Sequence, residues 1–349
     1  MPWTKVYVDK SEFEKAAQLQ KEGLRGLTFR EALKEATSQM MEKDDRVFVM
    51  GEGVDDPGGI FGSTQGLHKK FGKERVMDIP IAENGMTGVA IGAAMAGMRP
   101  IFVHMRMDFL PMCMDQIVNH AAKWCYMTGG RTNVPLVIRS IIGKGWGSAA
   151  QHSQALQALF MHIPGLKVVM PSTPYDVKGL MVSSIEDGNP VMFIEHRWLY
   201  EQIGHVPEEI YTVPIGKGIV RRQGKDVTVV AVSNMVYEAM KAVQPLEAEG
   251  IAIEEIDPRT IKPLDEELII ESVKKTGRLV VVDIGWKTCG VSAEIAAVVA
   301  EKAFKYLKAP VKRVTLPDVP TPNSPVLEDA YYFDYKRIVS SVKEMFREV

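Results

Sequence analysis

Runs that read as strands with apolar side chains on both faces recur along this chain: RVFVMGEGV, RPIFVHM, VPLVIRSI, LKVVMPS and PVMFIEHR. Amphipathic or small-residue stretches separate them. A strand that is apolar on both sides must be covered on both sides, and helices packed on each face of a parallel sheet do this. A second alternation follows, DVTVVAVS, NMVYEAMKAVQPLEAEG, IAIEEIDP, LDEELIIESVKKTG, RLVVVDI and GVSAEIAAVVAEKAFKYL. Between the two lies YEQIGHVPEEIYTVPIGKG, where periodicity fades and Gly and Pro recur. A chain of 349 residues has room for about two cores. The expected fold class is therefore α/β, with two domains each based on a parallel sheet. The boundaries expected are an N-terminal extension at 1–26, a first domain at 27–203, a linker at 204–222 and a smaller second domain at 223–349.

Local signals support this frame. Ser11 with Glu14 forms a capping-box pattern in the extension. A helix should begin near Thr173, where STPYDVKGLMVSSIEDG offers a polar cap, a proline in the first turn and a terminal glycine. PDVPTPNSPVLED reads as an extended surface strap before a last helix, DYKRIVSSVKEMFREV.

Charge and cysteine usage narrow the function classes. Lys plus Arg number 42 and Asp plus Glu 44, a formal net charge of −2, with no block of one sign. That balance gives no support to a nucleic acid or an anionic membrane as partner. Cys113, Cys125 and Cys289 are scattered and form no CxxC pair, which suits a reduced cytoplasmic protein. The opening MPWTKVYVDKSEFEKAAQLQKEG carries acids early and lacks the apolar core of a signal peptide. No uncharged apolar run reaches the roughly 20 residues that span a bilayer.

Chemistry could reside in three places. In MDIPIAENGMTGVAIGAAMAGMRPI, Glu83 stands between a strand-like run and a small-residue helix. It is either a helix-start carboxylate, favoured by free backbone N–H groups and the dipole, or a charge with a use. Gly88, Gly92 and Ala96 share one face of that helix, which fits a close crossing in the core or a subunit contact. In IIGKGWGSAAQHSQ, Gly143, Gly145 and Gly147 lead to His152, a polar and reachable histidine at an expected helix start. Gly-x-Gly spacing without a strand–helix frame or a GK[ST] is weak evidence for phosphate. In HMRMDFLPMCMDQIVNHAAKWCYMTGG, methionines and aromatics including Phe109 read first as core. His68, His104, His120, His162, His196 and His205 show no HExxH or paired Cys/His spacing, so a transition-metal site has no support.

The order of these features carries more than any one of them. With DPGGIFGSTQGL, IAENGMTGVAIGAAMAGMRPI, MDQIVNHAAKW, QHSQ, HIPGLKVVMPSTPYDVKGL, DPRTIKPLD and TGRLVVVDIGW in sequence from about Leu27, the chain resembles the beta subunits of thiamine-diphosphate-dependent 2-oxo acid dehydrogenases. These are the decarboxylating components for pyruvate, branched-chain 2-oxo acids or acetoin. The resemblance implies a transketolase-like pyrimidine-binding domain followed by a smaller C-terminal domain. It also implies an α2β2 heterotetramer in which an alpha subunit holds the diphosphate and Mg2+ through a GDG motif. No GDG occurs here. A beta–beta homodimer contact and a lipoyl acyltransferase core as acyl acceptor are implied as well.

By the same resemblance Glu83 matches the glutamate that hydrogen-bonds a ring nitrogen of the aminopyrimidine and promotes its imino tautomer. Phe109 matches the aromatic packed on that ring, and His152 the histidine that serves the substrate or the acyl-transfer step. Leu136, Ser184, Ile185, Asp187 and Asn189 match a monovalent-cation site, a candidate for K+. Two positions and one segment, HMRMDFLP, depart from the pattern. His104 stands where an apolar or aromatic residue is common, and Ile284 where glutamate is common. Those departures are what an assembly or regulatory subunit with a decayed site would show, although Glu83, Phe109 and His152 all remain. Ketol transfer by a split transketolase is the other alternative.

Overall fold

A computed structural model describes residues 2–144 and 147–347. Its first strands in chain order are β1 (Gly26–Thr28), β2 (Val47–Gly51), β3 (Val76–Met77), β4 (Arg99–His104), β5 (Val137–Ile142), β6 (Lys167–Val169), β7 (Val191–His196) and β8 (Ile203–His205). The rest are β9 (Ile219–Arg222), β10 (Val227–Ala231), β11 (Ile253–Asp257), β12 (Thr260–Lys262), β13 (Leu279–Trp286) and β14 (Lys312–Leu316). They form a seven-stranded sheet in the order β12-β6-β7-β5-β4-β2-β3 and a five-stranded sheet in the order β14-β13-β10-β11-β9. Each sheet is parallel except at one edge, where β12 runs antiparallel to β6 and β9 antiparallel to β11. β1 and β8 pair separately.

The doubly apolar strands explain the layers. Side chains alternate across a strand, so Val47, Val49, Ile101, Val103 and Phe193 enter one core while Phe48, Met50, Phe102, Met192 and Ile194 enter the other. Helices Phe29–Lys43 and Pro174–Glu186 close the first core. Helix Glu83–Met95 covers the opposite face, where the core runs on into the second sheet through Val229 and Val281. Each such side chain fully buried contributes about 1.5–3 kcal/mol.

The local signals take the expected form. Ser11 Oγ accepts from the Glu14 N–H, and the Ser11 N–H donates back to Glu14. Thr173 caps its helix by accepting from the Asp176 N–H at 3.2 Å, with Pro174 in the first turn. Within the stretch read as a linker, 204–222, the last four residues are β9 and belong to the second sheet. TIK of DPRTIKPLD leaves the second alternation to become β12 on the edge of the first sheet. The strap PDVPTPNSPVLED contains the start of a short helix, Pro325–Tyr331.

A buried ionic network joins the two halves. The Arg221 guanidinium of β9 donates to Asp176 in helix Pro174–Glu186 and to Asp257 at 2.7 Å, while Arg259 reaches Asp176 at 3.1 Å. Ser172 donates to Asp257 from the first domain. Burial opposes charge on Asp176, yet Arg221 and then Arg259 hold its carboxyl below the usual range.

Candidate functional site

The parallel strands of the first sheet all finish at one edge, the usual place for a site in an open α/β sheet. Glu52 follows β2, β4 ends on His104, β5 leads into Gly143 and β7 ends on His196. Helix Glu83–Met95 starts at this edge with Glu83 as its first residue, not just ahead of it. The side chain is 8% exposed. It lines a narrow cleft, with a cavity volume of only about 10 Å³, together with Glu52, Ile79, Phe102, Val103, His104, Met105 and Phe109. The candidate carboxylate and the candidate aromatic thus line the same cleft.

The electrostatics of the cleft are uneven. Burial raises the Glu52 carboxyl above its ordinary value, and the negative charges of Glu83 and Asp78 add to the effect. Burial lowers His104 to about 4, which makes the imidazole neutral at physiological pH, and its Nε2 is buried with no partner. The Phe102 ring lies beside it at a tilt of 52°, with ring centroids 4.3 Å apart.

His152 is exposed and meets Phe109 edge-on, with ring centroids 5.4 Å apart and an interplanar angle of 82°. It does not start a helix. Residues 147–156 are irregular and the helix begins at Gln157. The cause is tethering from a distant segment. Asp108 Oδ1 accepts from the Gln154 N–H at 3.0 Å, and Met107 Sδ from the Leu156 N–H at 3.1 Å, so these donors are taken outside any helix. Ala149 also has φ 52°, a left-handed conformation that a helix does not use. Gly143 and Gly147 flank this loop, and Gly145 lies outside the described residues.

The five residues matched to a cation site lie at the other edge, where strands begin. Leu136 O accepts from the Val191 N–H at 2.9 Å, and Ser184 Oγ donates to Leu180 O at 2.7 Å. Arg99 donates to Ile185 O at 2.6 Å and to Asp187 O at 3.3 Å. The Asp187 carboxylate pairs with Lys167 and accepts from the Asn189 N–H at 2.9 Å, whereas Asn189 Oδ1 is buried without a partner. Much of this donor set is already satisfied by side chains and backbone. Among the described residues, no group of three or more His, Cys, Asp or Glu is placed to hold a metal ion.

Glu52, Arg106 and Asp108 belong to this neighbourhood and were not singled out by sequence. Glu52 had a signal, since it directly follows an apolar strand run at the end where parallel strands present ligands. Arg106 and Asp108 sit in a methionine- and aromatic-rich stretch whose periodicity suggests only packing. Ile284, one of the two departing positions, is a buried residue of β13.

Comparisons with known proteins bear on the same architecture. Residues 25–202 match the family "Transketolase, pyrimidine binding domain" and residues 216–338 match "Transketolase, C-terminal domain". The chain is 45% identical to acetoin:2,6-dichlorophenolindophenol oxidoreductase subunit beta of Bacillus subtilis over 93% of its length and 98% of the relative. It is 47% identical to pyruvate dehydrogenase E1 component subunit beta of Rickettsia bellii over 91% of its length and 98% of the relative. It is 42% identical to 2-oxoisovalerate dehydrogenase subunit beta of Bacillus subtilis, with coverage of 91% and 98%. Among solved structures, a split-gene transketolase described as an inactive β4 tetramer superposes with a TM-score of 0.76 at 26% identity, covering 92% of this chain and 99% of that one. No helix among the described residues is long and apolar enough to cross a membrane.

Proposed function

Because this chain belongs to the transketolase-like family of 2-oxo acid dehydrogenase beta subunits, we propose that it is the catalytic beta subunit of a thiamine-diphosphate-dependent enzyme that decarboxylates a small 2-oxo acid or cleaves acetoin. The observation that carries this reading is Glu83, a nearly buried carboxylate lining a cleft whose apolar wall includes Phe102, Val103 and Phe109. The lining has the chemistry that the aminopyrimidine half of the cofactor needs, an acid for a ring nitrogen and an aromatic face to pack against the ring. When bound, thiamine diphosphate supplies the nucleophilic carbon and the electron sink for decarboxylation.

In this reading Glu83 accepts or returns the proton at the ring nitrogen, Phe109 fixes the ring plane, and Phe102 with Val103 keeps water from the acid. His152, at the rim beside Phe109, donates or accepts a proton at the substrate or at the arriving acyl acceptor. The chain has no GDG motif for the diphosphate and Mg2+. We assign those to an alpha subunit in an α2β2 heterotetramer, with a lipoyl acyltransferase as acceptor. A beta–beta contact is supported by helix Glu83–Met95, where a side chain at Gly92 would meet nothing within 4 Å and Val89 is 56% exposed. Cytoplasmic location is supported by three free cysteines. The donor set around Asn189 is the place to look for K+.

The test is co-expression with the alpha chain, followed by carbon dioxide release or acetoin cleavage with Mg2+ and thiamine diphosphate. Glu83→Gln should assemble normally and lose at least about 100-fold in turnover. Near-normal turnover would overturn the assignment. The similarity to beta subunits of 2-oxo acid dehydrogenases favours this reading over ketol transfer between sugars, where identity to the split transketolase is only 26%.

A further inference from the structure

The segment Arg106–Phe109 touches the His152 loop at several points along its length. Arg106 Nη1 donates to Gly143 O at 2.7 Å, where β5 gives way to the loop, and Nη2 to Ser148 Oγ at 3.4 Å. Asp108 Oδ1 accepts from the Gln154 N–H at 3.0 Å, two residues past His152. Met107 Sδ accepts from the Leu156 N–H, and the Phe109 ring meets the His152 ring. A glycine-rich loop has no internal reason to hold a histidine still. Here the order comes from outside, and Asp108 is its acidic member.

Asp108 also carries an oddity. Its second oxygen, Oδ2, is buried and has no partner. An apolar side chain here would avoid that penalty. What the acid side chain adds is an acceptor for the Gln154 N–H, at an ordinary hydrogen-bond distance of 3.0 Å.

We propose that Asp108 is a positioning residue that holds His152 against Phe109 by fixing the backbone at Gln154. This deepens the role given to His152 above and rests on that role. It makes the effect of Asp108 on turnover pass through His152 and through nothing else in the cleft.

The experiment is a double-mutant cycle in the assembled alpha–beta holoenzyme, with hydrogen–deuterium exchange on the same samples. Asp108→Ala should lower kcat by about tenfold or more, with a smaller change in KM, since small misplacements of a catalytic group are costly. Asp108→Asn should recover most of the loss, because the amide oxygen still accepts from Gln154. In a His152→Ala background, Asp108→Ala should cost less than about twofold further. Exchange across 147–156 should rise in Asp108→Ala and stay near wild type in Asp108→Asn. A full tenfold loss on top of His152→Ala would overturn the proposal, as would unchanged exchange at Gln154. Full turnover in His152→Ala together with a dead Glu83→Gln would also overturn it, while leaving the cofactor assignment standing.

Discussion

Asp283 offers a measurement whose sign and size follow from its surroundings. It lies midway along β13, wholly buried, with Oδ1 accepting from Gln157 Nε2 at 3.0 Å across the two halves of the chain and Oδ2 without a partner. Burial raises its pKa from 3.8 to about 6, against smaller opposing hydrogen bonds from Gly285, Gln157 and Ile284. Between these two values the folded chain binds a proton that the unfolded chain has released. The stability linked to that proton is fully present below pH 4 and is lost as pH rises through about 6. A shift of about two units corresponds to about 3 kcal/mol of destabilisation above pH 7. Asp283→Asn removes the charge and keeps an oxygen for Gln157, but it leaves an amide N–H buried, which costs about 1 kcal/mol. The variant is therefore expected to be about 2 kcal/mol more stable than wild type at pH 8, with the advantage shrinking by about 1.4 kcal/mol between pH 7 and pH 5. Urea midpoints followed by tryptophan fluorescence at four pH values would read this, and taking the difference between the two proteins removes every other titrating group. A difference that stays flat from pH 5 to pH 8 would refute the argument that burial sets the ionisation of this acid.

Other outcomes follow from particular contacts. Arg221→Met strips the cation from two buried carboxylates at the junction of the halves and should cost about 3–5 kcal/mol, read as a lower calorimetric midpoint or a separate early transition; a loss under about 1 kcal/mol would show the network to be dispensable. Gly165 has φ 97°, and a Cβ there would lie 1.9 Å from Ala122 O, so Gly165→Ala should cost about 2–3 kcal/mol and lower the melting temperature by roughly 3–4 °C.

What could be seen in advance was whatever the pattern holds locally. RVFVMGEGV and RPIFVHM announce buried strands because each is apolar on both faces, and that requirement is the same whichever strands become neighbours. β9 and β12 gave no such signal. IVRR and TIK are short, and each exists by pairing with the edge of a sheet, so its state is decided by β11 or β6 and not by its own residues. The sequence SAAQHSQALQ likewise reads as the approach to a helix, but Asp108 and Met107, more than forty positions earlier, take the N–H groups of Gln154 and Leu156.

Glu83 shows why local reading leaves alternatives open that geometry then merges. From the sequence it was either a helix-start carboxylate or a charge with a use. In the fold it is the first residue of helix Glu83–Met95 and also lines the cleft with Phe109, so the two descriptions are not rivals. The helix start aims the side chain, since the Cα–Cβ bonds of a helix tilt toward its N-terminus and carry a first-turn side chain out past the end of the helix. At the edge where parallel strands finish, that direction leads over the cleft. Phe109 and His152 come from two other connections at the same edge, and neither has anything in its own neighbourhood of sequence that points to Glu83. Their grouping depends on β2, β4 and β5 being neighbours in register, and that in turn depends on the doubly apolar runs. The strongest signal in the sequence thus positions the site only indirectly, by fixing which connections share an edge.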